Sequence, residues 1–122
     1  MIVDAQMRRD VYIAGSITDR AVIADRVSQL QERGYTVVSS WASRDESGET
    51  LADIGLIDAQ ELKASDLVIV CADLSQSSSG GFWTEMGLAY AWRRHVVVIG
   101  AMGARNVFSH LPKVRQIGRA HV

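Results

Sequence analysis

The chain has 122 residues, 48% of them hydrophobic, and a formal net charge of -1 with a pI near 6.3, which suits one compact α/β-sized domain with its own core. No basic stripe or Lys/Arg block points to nucleic acid as a partner, and no apolar run approaches the length of a membrane-spanning helix. The polar start from Met1 to Asp10 does not read as a signal peptide, and a single cysteine, Cys71, cannot close an internal disulfide, so the expected compartment is the cytoplasm.

Val11 to Ala14 reads as a first strand, ending at Gly15. A helix is expected from about Asp19 to Arg33, because Val22, Ile23, Arg26, Val27 and Leu30 recur at helical spacing. Gly34 suits its C-terminal cap. Tyr35 to Ser39 is the second strand, and Trp41 to Glu49 is polar and reads as a loop. A second helix runs from about Leu51 to Ala64. The apolar run Asp66 to Ala72 is a third strand, in which Cys71 packs as a small hydrophobe. After the turn Ser77-Ser78-Ser79-Gly80 comes a third helix, Gly81 to about Arg93, and then a fourth strand, His95 to Ile99. Gly100 to Pro112 is a loop with room for one helical turn. The last six residues, Ile117 to Val122, read as a non-native tail resembling a translated sequencing adapter, so the expected domain spans residues 1–116.

Alternating strands and helices imply one Rossmann- or flavodoxin-like α/β domain, with a parallel sheet and helices on both faces. Right-handed crossovers favour the strand order 2-1-3-4. Strands one and three are then central neighbours, and ligands in such sheets bind where their C-terminal ends meet.

Three segments converge there. In the first, Gly15 lets a ligand approach the backbone, and Ser16 and Thr18 can donate to a sugar or phosphate; capping the following helix is an equally good role for either. The missing second and third glycines exclude a dinucleotide fingerprint. In the second, Asp58 shares a helix face with Ile54 and Leu62. Desolvation there would raise its pKa and suit a general acid; a helix-edge aspartate bonded to a loop fits the pattern as well. In the third, Glu85 follows the Ser/Gly turn near a helix N-terminus, where the dipole favours its ionised form. It is a candidate nucleophile, or a glutamate that only stabilises its helix. Phe82 or Trp83 can wall a pocket beside the turn, whereas Trp92 is expected in the core. A nucleophilic carboxylate with a second, protonated one is the logic of retaining glycoside cleavage. His95, His110 and His121 lack ligand-like spacing, so neither a metal nor another cofactor is expected.

Val11-Tyr12-Ile13-Ala14-Gly15-Ser16, then Asp58 with Ala64-Ser65-Asp66-Leu67-Val68, then Gly80-Gly81-Phe82-Trp83-Thr84-Glu85-Met86-Gly87-Leu88-Ala89 together resemble the nucleoside 2-deoxyribosyltransferase family. The likeness spans about Val11 to Pro112. It implies that Glu85 forms a covalent glycosyl intermediate, that Tyr12 positions this carboxylate, and that Asp58 assists departure of the base. The family includes base-exchanging transferases and hydrolases of nucleoside 5′-monophosphates. Transferases tend to carry an aspartate where this chain has Ser79; the hydrolases carry a serine that helps hold the phosphate. The resemblance therefore leans toward monophosphate hydrolysis, with Gly15, Ser16, Thr18, Ser79, Gly80 and Gly81 around the substrate. It also implies a homodimer or larger homo-oligomer with a shared site, which Asn106 and Ser109 of one subunit complete in its neighbour. The hydrolases often have an arginine where this chain has Thr18, and Arg20 is the nearest substitute. The family's C-terminal segment is absent or shortened.

Overall fold

The computed structural model describes residues 9–74, 81–100 and 107–117. Five strands form one parallel sheet: β1 (Asp10–Ala14), β2 (Thr36–Val37), β3 (Leu67–Cys71), β4 (His95–Ile99) and β5 (Val114–Ile117), in the order β2-β1-β3-β4-β5. Three helices connect them: α1 (Arg20–Glu32), α2 (Leu51–Lys63) and α3 (Gly81–Ala91). The first four strands take the expected order, and the α/β class holds.

Chain direction reverses across β1. The α1 crossover leads to β2 on one side, and the α2 crossover returns past β1 to β3 on the other. Right-handed crossovers therefore put α1 on one face of the sheet and α2 with α3 on the opposite face. Burial follows this division. Tyr12 pairs with Val68 and Val68 with Val96, so these residues share the α2/α3 face. Tyr12, Ala14, Val68, Val70, Val96 and Val98 on that face are all essentially inaccessible. On the α1 face, Ile13 and Cys71 are buried while Ile69, Val97 and Ile99 remain half-exposed, because one helix covers less of the sheet than two. As expected, Cys71 is a buried thiol, and burial pushes its pKa up to about 11.

Three boundaries differ from the sequence expectation. Regular pairing of β2 stops at Val37, although Val38 N–H still donates to the Val11 carbonyl at 2.8 Å. Beyond that point side chains serve β1 instead of backbone. The Ser39 hydroxyl accepts from Ile13 N–H at 3.0 Å, and the Trp41 indole donates to the Ile13 carbonyl at 2.7 Å. The chain is thereby free to leave the sheet. The third helix ends at Ala91 rather than near Arg93, since Arg93 takes a left-handed φ of 61°. Finally, β5 is a strand the sequence reading did not assign. It is short and half-exposed, with no apolar alternation to announce it. Ile117, assigned above to the tail, is its last residue and pairs with Ile99.

Gly100 closes β4 with a φ of +114°, and a Cβ there would sit 2.6–2.7 Å from backbone atoms of Ala72 and Asp73. Only glycine fits this packing of the β4 end against the segment leaving β3. That segment is fixed from the other face by Arg26, whose guanidinium makes a fork to Asp73 at 2.9 and 2.7 Å.

Candidate active site

A cleft of about 430 Å³ opens above the C-terminal ends of β1 and β3, where the strand order reverses. Five segments among the described residues build it. The end of β1 contributes Gly15, and a short 3-10 turn contributes Ser16, Ile17 and Thr18. The loop after β2 adds Trp41 and Glu46; α2 adds Leu51, Ile54 and Asp58; α3 adds Gly81, Phe82 and Glu85.

Glu85 lies one turn into α3, and its carboxylate accepts a hydrogen bond from the Tyr12 hydroxyl. Tyr12 is fully buried beneath it on β1. Burial, then the adjoining Glu85, hold the phenol far above its ordinary pKa, so Tyr12 serves as a donor and keeps its proton. Burial also raises Glu85, to about 7; the Tyr12 hydroxyl opposes the rise and the Asp58 charge adds to it.

Asp58 stands on α2, which Thr50 starts with a capping box to Asp53. Its neighbours on the helix face are as expected: Leu62 is buried and Ile54 half-buried. Burial raises the Asp58 carboxyl to about 6, against the pull of Arg44, with Glu46 and Glu61 adding to the rise. Its Oδ1 is buried and has no hydrogen-bond partner among the described residues, with Arg44 Nη2 3.7 Å away. A buried oxygen in that state is relieved by a proton or by a ligand that donates to it. Glu85 and Asp58 thus form a coupled pair that holds about one proton near neutral pH.

Ser16 takes the capping role and stands at the cleft as well. Its hydroxyl caps the 3-10 turn, accepting from Thr18 N–H at 3.4 Å and lying 2.8 Å from the Thr18 hydroxyl, and it still lines the cleft. Gly15 lines the cleft too, but its bareness also serves the core: a Cβ would meet Ile23 Cδ1 at 2.8 Å. Phe82 walls the cleft, and Trp83 turns to a second groove. Trp92 is half-buried against the core, with Lys63 Nζ 5.8 Å from its ring centre.

Other expected site residues stand elsewhere. Ser109, expected to serve a neighbouring subunit's site, is buried within its own chain, its hydroxyl donating to Met86 Sδ at 3.8 Å. Arg20 does not line the cleft; its guanidinium donates to the carbonyls of Trp41 at 2.8 Å and Arg44 at 2.6 Å. Ser79, Gly80 and Asn106 lie outside the described residues.

The sequence reading missed the loop after β2. Arg44 gathers four carboxylates: Glu46 at 2.6 Å, Glu49 at 3.1 Å, Asp58 at 3.7 Å and Glu61 at 3.8 Å. It also donates to the Ser40 hydroxyl, which in turn donates to Glu61, each at 2.6 Å. One available signal was the pairing of a charged loop, Arg44 to Glu49, with Asp58 and Glu61 at helical i, i+3 spacing.

No protein-family model matches the sequence, and no curated protein matches it. Solved structures do. A CMP N-glycosidase of Clostridium botulinum, BcmB, superposes with a TM-score of 0.65 at 21% identity, covering 89% of this chain and 87% of that one. The chain has the nucleoside 2-deoxyribosyltransferase-like fold. A conserved protein of Enterococcus faecalis V583 shares this fold at a TM-score of 0.66 and 18% identity, covering 93% of this chain and 92% of that one. So does a 2-desoxiribosyltransferase of Leishmania mexicana, at 0.62 and 14%, over 88% of this chain and 77% of that one.

Proposed function

We propose that the chain cleaves the N-glycosidic bond of nucleosides or their 5′-monophosphates through a glycosyl ester on Glu85. The observation that carries this reading is the Tyr12–Glu85 hydrogen bond beside a buried Asp58 oxygen that makes no hydrogen bond among the described residues, both in one cleft. The reactive form is the less populated of the two singly protonated ones, since Glu85 has the higher pKa: Glu85 is the anion and Asp58 holds the proton. A Glu85 oxygen bonds to C1′ as the C1′–N bond breaks, and that electron pair goes to the base, which takes the Asp58 proton. Asp58, now a carboxylate, removes a proton from the incoming water; the water oxygen displaces Glu85 from C1′ and leaves the free sugar. Tyr12 donates to the carboxylate and orients it throughout. A cleft with carboxylates from Glu46, Asp58 and Glu85 favours the positive charge that develops on the sugar.

The resemblance, through the serine at position 79, leans toward 5′-monophosphates as substrates and water as acceptor, and Ser16 lines the cleft as that reading needs. A second reading, transfer of the sugar to another base, is favoured by one observation. Among the described residues no lysine or arginine lines the cleft, and Arg20 is committed to loop carbonyls. Incubation with a panel of nucleosides and 5′-monophosphates, with and without a second free base, tests both. Base release from monophosphates that is unaffected by the added base is expected; formation of a new nucleoside would establish transfer instead. No base release from any member of the panel would overturn the proposal.

The working unit is at least a homodimer on this reading. Its support is a second groove of about 600 Å³ on the outer side of α3, lined by Trp83, Met86, Tyr90, Phe108 and Leu111, with Phe108 61% exposed. An active monomer at assay concentration, seen by mass measurement in solution, would refute it.

A further inference from the structure

We propose that Glu46 reads the base, selecting those that present an exocyclic amine over their oxo counterparts: cytosine over uracil, adenine over hypoxanthine. The inference rests on the N-glycosidic reading of the cleft and names its substrate class.

Among the described residues Glu46 is the one carboxylate of the cleft that bond cleavage does not use. Its position along the cleft follows from Arg44: a single nitrogen, Nη2, lies 2.6 Å from Glu46 Oε2 and 3.7 Å from Asp58 Oδ1. Glu85 is held at the β1 side by Tyr12. With the sugar on Glu85 and the departing nitrogen at Asp58, the body of the base extends toward Glu46. Trp41, Leu51 and Ile54 are apolar members of the same cleft lining.

The Glu46 carboxylate is mounted rather than loose. Arg44 holds Oε2, and Arg20 Nη2 stands 3.9 Å from Oε1, at ion-pair distance but beyond hydrogen-bond reach. Arg20 is itself fixed by the Trp41 and Arg44 carbonyls, and Trp41 by the Ile13 carbonyl. A carboxylate in this state only accepts hydrogen bonds. An amine on the base donates to it. A carbonyl in the same place sets lone pair against lone pair and leaves both groups desolvated without a partner. A site built around one hydrogen bond discriminates by rejecting the analogue that cannot make it.

Two ratios test the proposal: kcat/KM for cytosine against uracil substrates, and for adenine against hypoxanthine substrates. Binding of free adenine and free hypoxanthine by calorimetry gives a readout that needs no turnover. Wild type should favour each amino base by roughly 10- to 100-fold, the worth of one hydrogen bond to a charged group. Glu46→Gln should bring the ratios close to one, since an amide both donates and accepts. Should Glu46→Gln not fold, Glu46→Asp, one methylene shorter, should still reduce them. Base release without discrimination, or discrimination unchanged in a folded variant, overturns the inference and leaves bond cleavage standing. Glu46-dependent preference for free adenine in a protein that releases no base would support the inference and count against the cleavage reading. Equal binding of both free bases with no turnover would overturn both.

Discussion

Glu85→Gln should abolish turnover and at the same time stabilise the fold at alkaline pH. The Glu85 carboxyl titrates near 7 in the folded protein against 4.5 for the free group, mainly because it is buried. Between those pH values the folded state keeps a proton that the unfolded chain has lost, so stability falls as pH rises. The penalty is absent below about pH 4 and complete above about pH 8. At 1.36 kcal/mol per pH unit it amounts to about 3 kcal/mol. Glutamine carries no such charge, and its side-chain carbonyl still accepts from Tyr12. Denaturant unfolding of both proteins at pH 4 and pH 8.5 measures the effect. The variant should match wild type at pH 4 and exceed it by about 2–3 kcal/mol at pH 8.5, with base release down by several powers of ten. A variant equally destabilised at both pH values would refute the reasoning, for it would mean that Glu85 contributes structure rather than a desolvated charge.

Asp58→Asn should slow cleavage of natural bases far more than of substrates whose leaving group needs no proton; equal losses would make Asp58 structural. Tyr12→Phe should lower kcat by roughly 10- to 100-fold. With the hydroxyl gone Glu85, already the higher of the pair, titrates higher still, so the alkaline limb of the kcat/KM profile should move to higher pH; an unmoved alkaline limb would dissociate Tyr12 from Glu85. In wild type that profile should be bell-shaped with its optimum between about 6 and 7, where the Glu85–Asp58 pair holds one proton; a flat profile from pH 5 to 9 would exclude the pair. Gly100→Ala should cost at least about 2 kcal/mol of stability in denaturant unfolding, from φ strain and overpacking together; a neutral effect would contradict the close packing at Ala72.

The first four strands and the three helices were legible because each carries a period or an apolar run long enough to be distinctive. Asp58 and Glu85 stood out as candidates by their helix positions and Tyr12 only through the family resemblance; the structure puts Asp58 and Glu85 in one cleft with the Tyr12 hydroxyl on Glu85. The fifth strand was not legible, because Val114 to Ile117 pairs on one edge only and needs no continuous apolar sequence. The Arg44 cluster was hidden for another reason. Residues 44–49 look like any solvated charged loop, and only tertiary packing against α2 turns them into the wall that holds Glu46 in the cleft and Arg44 beside Asp58. Likewise, the sequence shows a hydroxyl at Ser109 but not that Met86 receives it inside the core.

The covalent intermediate is the claim on which the rest depends, and mass spectrometry of the trapped protein tests it most directly. A 2′-fluoro nucleoside substrate, whose electron-withdrawing substituent destabilises the positively charged transition state and slows hydrolysis of the ester, is mixed with the protein and quenched in acid. The account predicts one added sugar on the peptide that contains Glu85, and none in Glu85→Gln. Base release with no adduct, or an adduct on any other residue, would contradict it.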